Sequence, residues 1–366
     1  MRIGILNSNK NIAYGSFNVF YENIKKSLLK FGDTVFEFNT FNELENFIMN
    51  NSLDITLSLG KYGFYSANGI EFYNLYGIPH FNWILDNPIK IGIDETSKNV
   101  FYIFIDNDFS KLCKLNNTKH LFLPLGSAIC ENQFYDKEID IIFTGQVKDS
   151  ESIYTEIHCL NTTEKNAVKN IIEYNISNLD NSFIDILNEN LNSSFRNESL
   201  KKIFRISNSY IRSYKRELVL SNINSTNINI YGEVFSSKLL SKKNIKIHNK
   251  ISYSELNNIV SKSKLSLNIT PNFNFSCHDR IINSIALGSC PLTDYNNYLG
   301  SKFKDLESIV FYNYKDIYSL DNKISKIIDN KNYIDILNKS NRILKENFTW
   351  DKTIEKLRIF FNSKIS

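Results

Sequence analysis

Residues 263–299 have the residue types and the order that suit the binding of a phosphate group. A strand pattern runs into Asn268, a polar loop follows, and a helix pattern opens near His278. The first turn of such a helix has unpaired backbone N–H groups and the positive end of the helix dipole, both of which attract phosphate. His278 can donate a hydrogen bond there, and the planar guanidinium of Arg280 matches phosphate oxygens. The residues favour a diphosphate site, although charged residues are common at helix ends without a ligand.

Thr144 and Gly145, at the end of another strand pattern, form a second candidate phosphate contact. A glycine at the end of a strand lets a ligand approach the backbone closely. Lys148 follows three positions later and is close enough in sequence to reach the same diphosphate. The alternative is that Gly145 only makes a turn after the strand.

Residues 80–88 carry the candidate catalytic groups. The apolar run in this stretch is a strand pattern that places Asp86 at its carboxyl end, and Pro88 stops the strand. A carboxylate in that position can act as a general base on a substrate hydroxyl or hold the substrate. The alternative for Asp86 is a side chain that caps a turn. His80 is the second candidate, and its alternative is an imidazole packed in the core.

Asp106, Asn107 and Asp108 form a two-carboxylate pattern of the kind that holds a divalent cation in some enzymes. Here the triplet directly follows a strand pattern at residues 100–105, and a helix pattern begins at Phe109. We therefore interpret it as the exit of a strand and the N-cap of a helix, and we predict no metal site.

Strand and helix patterns alternate along most of the chain, which is typical of parallel sheets with helices on both faces. The predicted strands are residues 1–6, 34–38, 54–59, 81–85, 100–105, 121–125, 139–143, 228–231, 265–269 and 290–293. The predicted helices are residues 16–30, 42–50, 70–76, 200–220, 278–287, 317–328, 333–346 and 350–361, and residues 150–221 lack strand patterns. Two doubly wound units of this kind leave a cleft between them, and ligands bind at the carboxyl ends of the strands.

Composition and charge exclude several classes of protein. The chain has 366 residues, of which 42% are hydrophobic and 13% aromatic, which suits two packed domains and is too apolar for a disordered chain. A formal net charge of +4 without basic clusters argues against a nucleic-acid binder. The five cysteines have neither metal-type nor paired spacing, which fits reduced thiols. No secretory leader and no apolar run of about 20 residues is recognisable, so we expect a soluble, cytoplasmic protein.

The order of motifs in the second half resembles the carboxyl-terminal domain of GT-B glycosyltransferases, most closely the CgeB-like group of spore-maturation proteins. Residues 263–299 contain a strand with Leu-Asn-Ile-Thr, a loop, His-x-Arg, a helix with Ala-x-Gly, and a strand with Thr-Asp. Four further stretches match the family in the same order, namely residues 123–126, 228–232, 247–260 and 347–350. The first half is less similar, but its Trp83-x-x-Asp86-x-Pro88 stretch also resembles the family.

The resemblance implies an α/β fold of two Rossmann-like, doubly wound domains that face a central cleft. Residues 1–134 would bind the acceptor, residues 135–345 would bind the donor, and residues 346–366 would cross back to the first domain. The implied activity is transfer of a sugar from a nucleotide-sugar donor to a hydroxyl of a surface glycan or protein. The resemblance further implies a retaining reaction without a metal or other cofactor. We expect no nucleic-acid partner and no transmembrane segment, and a homo-oligomer stays open.

The implied donor-binding residues are Gly145, Lys148, Tyr231, Gly232, Asn268, Thr270, Pro271, Cys277, His278, Asp279, Arg280 and Asn283. Asn283 departs from the family, which usually has at that position a Glu that by analogy holds the ribose hydroxyls. An amide can hydrogen-bond hydroxyls but adds no charge. Three interpretations stay open: an altered donor preference, a catalytically silent module that binds a sugar nucleotide or glycan, or a different enzyme such as a nucleotide-sugar epimerase.

Overall fold

The computed structural model describes residues 1–7, 12–60, 69–91, 93, 97–113, 115–128, 137–191, 197–269 and 273–365. Within these ranges the chain divides into two compact units. The first unit consists of Met1–Ala128 and Asn347–Ser366, and the second of Ile129–Glu346. The predicted domain boundary between Phe134 and Tyr135 lies outside the described residues.

Twelve strands and fifteen α-helices are present in the described ranges. The strands are β1 (Arg2–Leu6), β2 (Thr34–Phe38), β3 (Ile55–Leu59), β4 (His80–Ile84), β5 (Val100–Phe104), β6 (His120–Phe122), β7 (Ile139–Thr144), β8 (Ile228–Tyr231), β9 (Ile245–His248), β10 (Ser263–Asn268), β11 (Cys290–Asp294) and β12 (Val310–Tyr312). The helices are α1 (Ser16–Lys30), α2 (Phe41–Ile48), α3 (Gly69–Tyr76), α4 (Pro88–Ile91), α5 (Ser150–Thr155), α6 (Thr162–Ser177), α7 (Phe183–Asn190), α8 (Asn197–Ser221), α9 (Ser237–Leu240), α10 (Tyr253–Ser261), α11 (Asp279–Ala286), α12 (Asn297–Lys302), α13 (Leu320–Asp329), α14 (Tyr333–Asn347) and α15 (Trp350–Ile365).

The first unit contains a six-stranded parallel sheet in the order β2-β1-β3-β4-β5-β6. Every residue of β3, β4 and β5 is buried, which is expected of a parallel sheet that has helices on both faces. Helix α15 packs into this core, where the ring of Phe361 lies 4.4 Å from that of Phe81 and Trp350 lies 6.1 Å from Phe20. The last helix therefore completes the hydrophobic core of the first unit.

The second unit contains a six-stranded parallel sheet in the order β12-β11-β10-β7-β8-β9. The chain enters at β7, adds β8 and β9 on one side, and then places β10, β11 and β12 on the other side. The strand order therefore reverses between β7 and β10. In open parallel sheets this reversal leaves a crevice at the carboxyl ends of the two strands, which is the usual place for a ligand.

The predicted alternation of strands and helices is confirmed, with two strands that the sequence patterns did not indicate. These are β9 and β12, four and three residues long, which form the two edges of the second sheet. The helical character of residues 150–221 is also confirmed. No helix in the described part of the chain is long and apolar enough to cross a bilayer.

The interpretation of the Asp106-Asn107-Asp108 triplet is confirmed in its local geometry. Asp106 caps a 3-10 helix at Asn107–Leu112, and its Oδ1 accepts a 2.8 Å hydrogen bond from the backbone N–H of Asp108. The carboxylate of Asp108 pairs with Lys111 at 3.0 Å. Both carboxylates thus have partners within this turn.

Candidate functional site

The start of α11 and the end of β7 meet at the point where the strand order of the second sheet reverses. Arg280, in the first turn of α11, donates a 2.7 Å hydrogen bond from Nη1 to the carbonyl oxygen of Thr144, the last residue of β7. The two candidate phosphate contacts, far apart in sequence, are therefore adjacent in the fold. This adjacency matches the position expected for a ligand of an open parallel sheet.

Gly145 and Gly232 bring the ends of β7 and β8 into close contact. They have φ angles of +149° and +152°, which favour glycine. A Cβ atom on Gly232 would lie only 2.3 Å from the carbonyl oxygen of Gly145, and a Cβ on Gly145 would lie 3.5 Å from Nη1 of Arg216. The backbone at these two strand ends therefore carries no side chain and lies close to a guanidinium. A ligand can approach such a backbone closely.

His278 is the N-cap of α11, and its ring contacts both of the following residues. Nε2 lies 3.2 Å from Nη2 of Arg280, which can only donate, so Nε2 accepts and the proton of the neutral ring belongs on Nδ1. Nδ1 lies 2.6 Å from Oδ1 of Asp279, to which it donates. In this tautomer the backbone N–H of Arg280, 3.2 Å from the same Nδ1, cannot donate to it, and the Asp279 carboxylate is its acceptor.

Charge and burial keep this trio in defined protonation states. Burial and the neighbouring Arg280 lower the pKa of His278, so the ring is neutral near pH 7. Burial opposes ionisation of Asp279, but His278 and Arg280 outweigh it and lower the pKa of that carboxyl. With both ring nitrogens engaged, His278 orients Arg280; in this geometry it has no N–H left to donate to a phosphate.

Arg216 of α8 is a member of the site that the sequence analysis did not single out. Its side chain is buried, with 4% of the residue exposed, and the guanidinium stands 5.5 Å from the centre of the Phe143 ring. Nη1 donates to the carbonyl oxygen of Gln146, and Nε has no hydrogen-bond partner. No carboxylate forms an ion pair with Arg216 in the part of the chain that the structure describes.

The cations of this region repel one another. Burial lowers the pKa of Arg216 well below its usual value, and the nearby charges of Arg212 and Arg280 lower it further. Burial is the largest cause that lowers the pKa of Arg280, and the charge of Arg212, on the same helix as Arg216, lowers it further. Like charges gathered in a buried region are unfavourable unless an anion compensates them. The cluster of Arg212, Arg216 and Arg280 is therefore suited to hold a polyanion.

Lys215, the residue before Arg216 on α8, is also buried. It is 3% exposed, and its Nζ stands 4.7 Å from the centre of the Tyr314 ring. Burial lowers the pKa of Lys215 to about 8, against the opposing effect of Asp294 and Asp180. Tyr314 in turn lies 3.4 Å from Oδ2 of Asp294, at the carboxyl end of β11. Charged side chains thus line the carboxyl ends of both β7 and β11.

The remaining predicted donor-binding residues have diverse environments. Asn268, at the end of β10, donates a 3.0 Å hydrogen bond to Thr293, and Cys277 is buried just before α11. The ring of Tyr231 stacks on His248 at 4.4 Å. Lys148 is exposed. Thr270 and Pro271 lie outside the described residues.

Asn283, the residue that departs from the family pattern, faces α10. Its Nδ2 donates a 2.5 Å hydrogen bond to the hydroxyl oxygen of Tyr253, the first residue of that helix. Burial raises the pKa of the Tyr253 hydroxyl far above its usual range, so this group stays protonated. The amide side chain therefore has a local partner within the second unit.

Asp86, the first catalytic candidate, lies two residues beyond β4 in the first unit. Its side chain is 60% exposed and accepts a 2.9 Å hydrogen bond from Lys90, one helical turn later. The turn-capping role considered for Asp86 belongs to Asn87, whose Oδ1 accepts from the backbone N–H of Ile89 at 3.0 Å. Pro88 opens the short helix α4, where proline is well tolerated.

His80, the second catalytic candidate, is fully buried on β4. Nδ1 lies 2.9 Å from the Thr56 hydroxyl and Nε2 lies 3.0 Å from the Ser58 hydroxyl, while the ring stacks on Tyr73 at 4.0 Å. Burial lowers the pKa of His80 to about 3. This geometry favours the alternative of a packed core imidazole, because neither ring nitrogen is open to a substrate.

Comparison with known proteins adds information on both fold and family. Residues 212–358, less than half of the chain, match the family described as glycosyl transferase-like. This stretch begins at Arg212 and includes Arg216, His278 and Arg280. No curated protein is similar enough in sequence to be matched.

Solved structures resemble the chain over most or all of its length at low sequence identity. AviGT4, a glycosyltransferase involved in avilamycin A biosynthesis, is 8% identical with a TM-score of 0.59, covering 100% of this chain and 98% of its own. An alpha-glucosyltransferase solved with UDP and a 13-mer DNA containing an HMU base is 10% identical with a TM-score of 0.57, covering 99% of both chains. TarM is 12% identical with a TM-score of 0.50, covering 84% of this chain and only 54% of TarM. The chain accordingly has the two-domain α/β fold of GT-B glycosyltransferases, and its residues 212–358 are similar to the glycosyl transferase-like family.

Proposed function

We propose that this protein is a glycosyltransferase that uses a nucleotide-sugar donor. The observation that supports this most strongly is the position of Arg216, a buried guanidinium with an unpaired Nε and no carboxylate partner in the described ranges. It lies beside Gly145 and shares its surroundings with Arg280 and Arg212. A diphosphate carries negative charge and acceptor oxygens, which suit the buried guanidinium and the unpaired Nε of Arg216.

In the proposed complex the diphosphate lies over the bare backbone of Gly145 and Gly232, between Arg216 and Arg280. Asp279 and His278 orient the guanidinium of Arg280, which donates to a phosphate oxygen. Exposed Lys148 reaches the outer phosphate. Tyr231, Asn268 and Asn283 would contact the nucleoside and sugar.

The proposed reaction breaks the bond between the anomeric carbon of the sugar and the phosphate oxygen, and it forms a bond from that carbon to the acceptor oxygen. The acceptor hydroxyl gives up its proton to a base, for which exposed Asp86 is the candidate of the first unit. The departing nucleoside diphosphate keeps the bonding electron pair, and fixed cations stabilise that charge without a metal. We further propose a retaining reaction in the cytoplasm, in a CgeB-like enzyme, on a hydroxyl of a surface glycan or protein.

A second candidate is a catalytically silent module that binds a sugar nucleotide or glycan. Asn283 favours it, because this neutral side chain hydrogen-bonds to Tyr253 and would contribute no charge to ribose binding. The two candidates share the diphosphate site and differ in turnover.

Incubation with a panel of UDP-, GDP- and dTDP-sugars, with nucleoside diphosphate release as the readout, tests this proposal. Transfer predicts slow release from one donor, and Arg216→Gln removes it. Tight binding without release supports the silent module, and a changed sugar on an intact diphosphate supports an epimerase. Failure of every nucleotide to bind would overturn all three.

A further inference from the structure

Lys215 is a buried cation to which the proposed reaction gives no role. Only 3% of the residue is exposed, and its Nζ stands 4.7 Å from the centre of the Tyr314 ring. Within the part of the chain that the structure describes, this Nζ has neither a hydrogen-bond acceptor nor an ion-pair partner. A buried ammonium with unused N–H groups is unfavourable unless something accepts from them. We propose that Lys215, together with Asp294, binds hydroxyl groups of the nucleotide sugar.

A second lysine of the same unit, Lys137, differs from Lys215 in its partners. Burial lowers the pKa of Lys137 to about 8, as it does that of Lys215. The Nζ of Lys137, however, donates hydrogen bonds to the carbonyl oxygens of Ser261 and Gly288, which stand just before β10 and β11. Lys137 therefore has a structural role at the amino end of the sheet. Lys215 has no such partners, so packing alone does not explain its ammonium.

Asp294 links Lys215 to the proposed donor site. This partly exposed residue is the last of β11, and its charge acts on both Lys215 and Arg280. Its Oδ1 accepts a 3.1 Å hydrogen bond from the Thr293 hydroxyl, and its Oδ2 lies 3.4 Å from the hydroxyl of Tyr314, the residue whose ring contacts Lys215. Because Arg280 belongs to the proposed diphosphate site, Lys215 and Asp294 lie beside that site at the carboxyl end of the sheet.

The charges at this place favour hydroxyls over a further anion. Asp294 carries a negative charge near the ammonium of Lys215, so the two offset each other. The other neighbouring carboxylate, Asp180, already accepts from the backbone N–H groups of Tyr314 and Lys315, at 2.9 and 3.3 Å. A hydroxyl both donates and accepts, so it can donate to Asp294 and accept from Lys215. A nucleotide sugar has hydroxyls on either side of its diphosphate, on the ribose and on the transferred sugar.

This inference rests on the proposed function, and calorimetric titration of the full chain tests it. The ligands are UDP, 2′-deoxy-UDP, UDP-glucose, UDP-galactose, UDP-N-acetylglucosamine and UDP-glucuronate, or the corresponding GDP compounds where the wild type prefers GDP. Lys215→Met keeps the apolar stem of the side chain and removes the ammonium. We expect it to weaken binding about tenfold or more, as for hydrogen bonds to a charged group. Weaker binding of a UDP-sugar but not of UDP assigns the hydroxyls to the transferred sugar, and weaker binding of UDP but not of 2′-deoxy-UDP assigns them to the ribose.

Lys137→Met is the matched control. It should keep every ligand affinity and lose thermal stability, because two carbonyl oxygens lose their donor. Lys215→Met should lose less stability, because it leaves no acceptor unpaired. Asp294→Asn is the second variant if Lys215→Met does not fold, and it should weaken binding of the same ligand.

The inference is overturned if Lys215→Met binds UDP and every UDP-sugar as tightly as the wild type, which would leave Lys215 as a core residue packed on Tyr314. Equal weakening of UDP and 2′-deoxy-UDP would assign the ammonium to the phosphates and overturn the assignment to hydroxyls. Tighter wild-type binding of UDP-glucuronate than of every neutral UDP-sugar would overturn it as well. In these cases the wild type still binds nucleotide, so the proposed function stands. A wild type that binds neither the UDP nor the GDP compounds would refute the donor site and this inference with it.

Discussion

Arg280 donates a 2.7 Å hydrogen bond to the carbonyl oxygen of Thr144, a residue 136 positions earlier in the chain. The bond joins the first turn of α11 to the end of β7, where the order of the second sheet reverses. The guanidinium is held on its other side by His278, which is itself held by Asp279. Arg280 is thus fixed by two neighbours before any ligand binds, which lowers the cost of ordering it in a complex.

Replacement of Arg280 by Lys should weaken UDP binding by about tenfold or more. The ammonium of Lys keeps the charge, but it cannot reproduce the planar fork that contacts both Thr144 and His278. Calorimetric titration with UDP measures the effect. Arg205→Lys is the control, since Arg205 is an exposed residue of α8 that pairs with Glu156. Equal UDP affinity of the Arg280→Lys and wild-type proteins would refute the role of the fork.

Replacement of Gly232 by Ala should abolish UDP binding and destabilise the second unit by about 2 kcal/mol or more. The new Cβ would lie 2.3 Å from the carbonyl oxygen of Gly145, so the two strand ends must separate. Gly32→Ala is the control, because Gly32 also has a positive φ, of +80°, but its Cβ would meet no atom within 4 Å. Thermal unfolding and UDP titration of both variants check this. Preserved UDP binding in Gly232→Ala would show that the close contact has no role in the site.

Because His80 is buried and neutral, the first unit should lose stability in acid. Its pKa is about 3 when folded, below the ordinary value of 6.5, so the unfolded chain binds a proton in this window and the folded chain does not. The contribution of neutral His80 is complete above pH 6.5 and is lost as pH falls towards 3. Between pH 7 and pH 5 this amounts to about 2 kcal/mol in the free energy of unfolding.

His80→Gln removes the titrating group and should flatten this part of the pH dependence. Both tryptophans, Trp83 and Trp350, belong to the first unit, so urea unfolding followed by tryptophan fluorescence reports on that unit. If the wild-type and His80→Gln curves run parallel between pH 7 and pH 5, the buried neutral imidazole is not responsible.

Phe361→Ala should cost about 3–5 kcal/mol of stability in the first unit. Phe361 is fully buried on α15 against Phe81, and its removal leaves a cavity in the core. The neighbouring Ile359 is 68% exposed, so Ile359→Ala should change the free energy of unfolding by about 0.5 kcal/mol or less. Urea unfolding followed by tryptophan fluorescence compares the two. Similar losses for both variants would contradict the packing of α15.

Much of the fold could be predicted from the sequence because local patterns and tertiary packing agree. Helix α1 and strand β2 have the bounds that their hydrophobic spacing predicts, with Gly32 between them at φ +80°. Strands β9 and β12 were missed because each is short and lies at an edge of the sheet. In β9 polar Lys246 and His248 alternate with isoleucine, so the strand lacks the continuous apolar pattern of a buried one.

The candidate site could be predicted from the sequence only in part. Sequence patterns indicate where strands end and where helices start, and His278, Arg280 and Gly145 lie at such points. Arg216 and Lys215 lie within a long helix, where charged residues usually face solvent. One signal was present: Lys215 continues the buried stripe of α8 after Phe204, Ser207 and Ile211, at a position where an apolar residue is expected.

The most direct test of the account compares Arg216→Gln with Arg358→Gln. Arg358 is the matched control, because it is paired with Asp33 at 2.8 Å in the first unit, whereas Arg216 has no carboxylate partner in the described residues. We predict that Arg216→Gln weakens UDP binding by about tenfold or more. In the absence of nucleotide its thermal stability should be unchanged or higher, because repulsion from Arg212 and Arg280 is relieved. Arg358→Gln should lose stability and keep its UDP affinity. An Arg216→Gln protein that is less stable and binds UDP as tightly as the wild type would contradict the central claim.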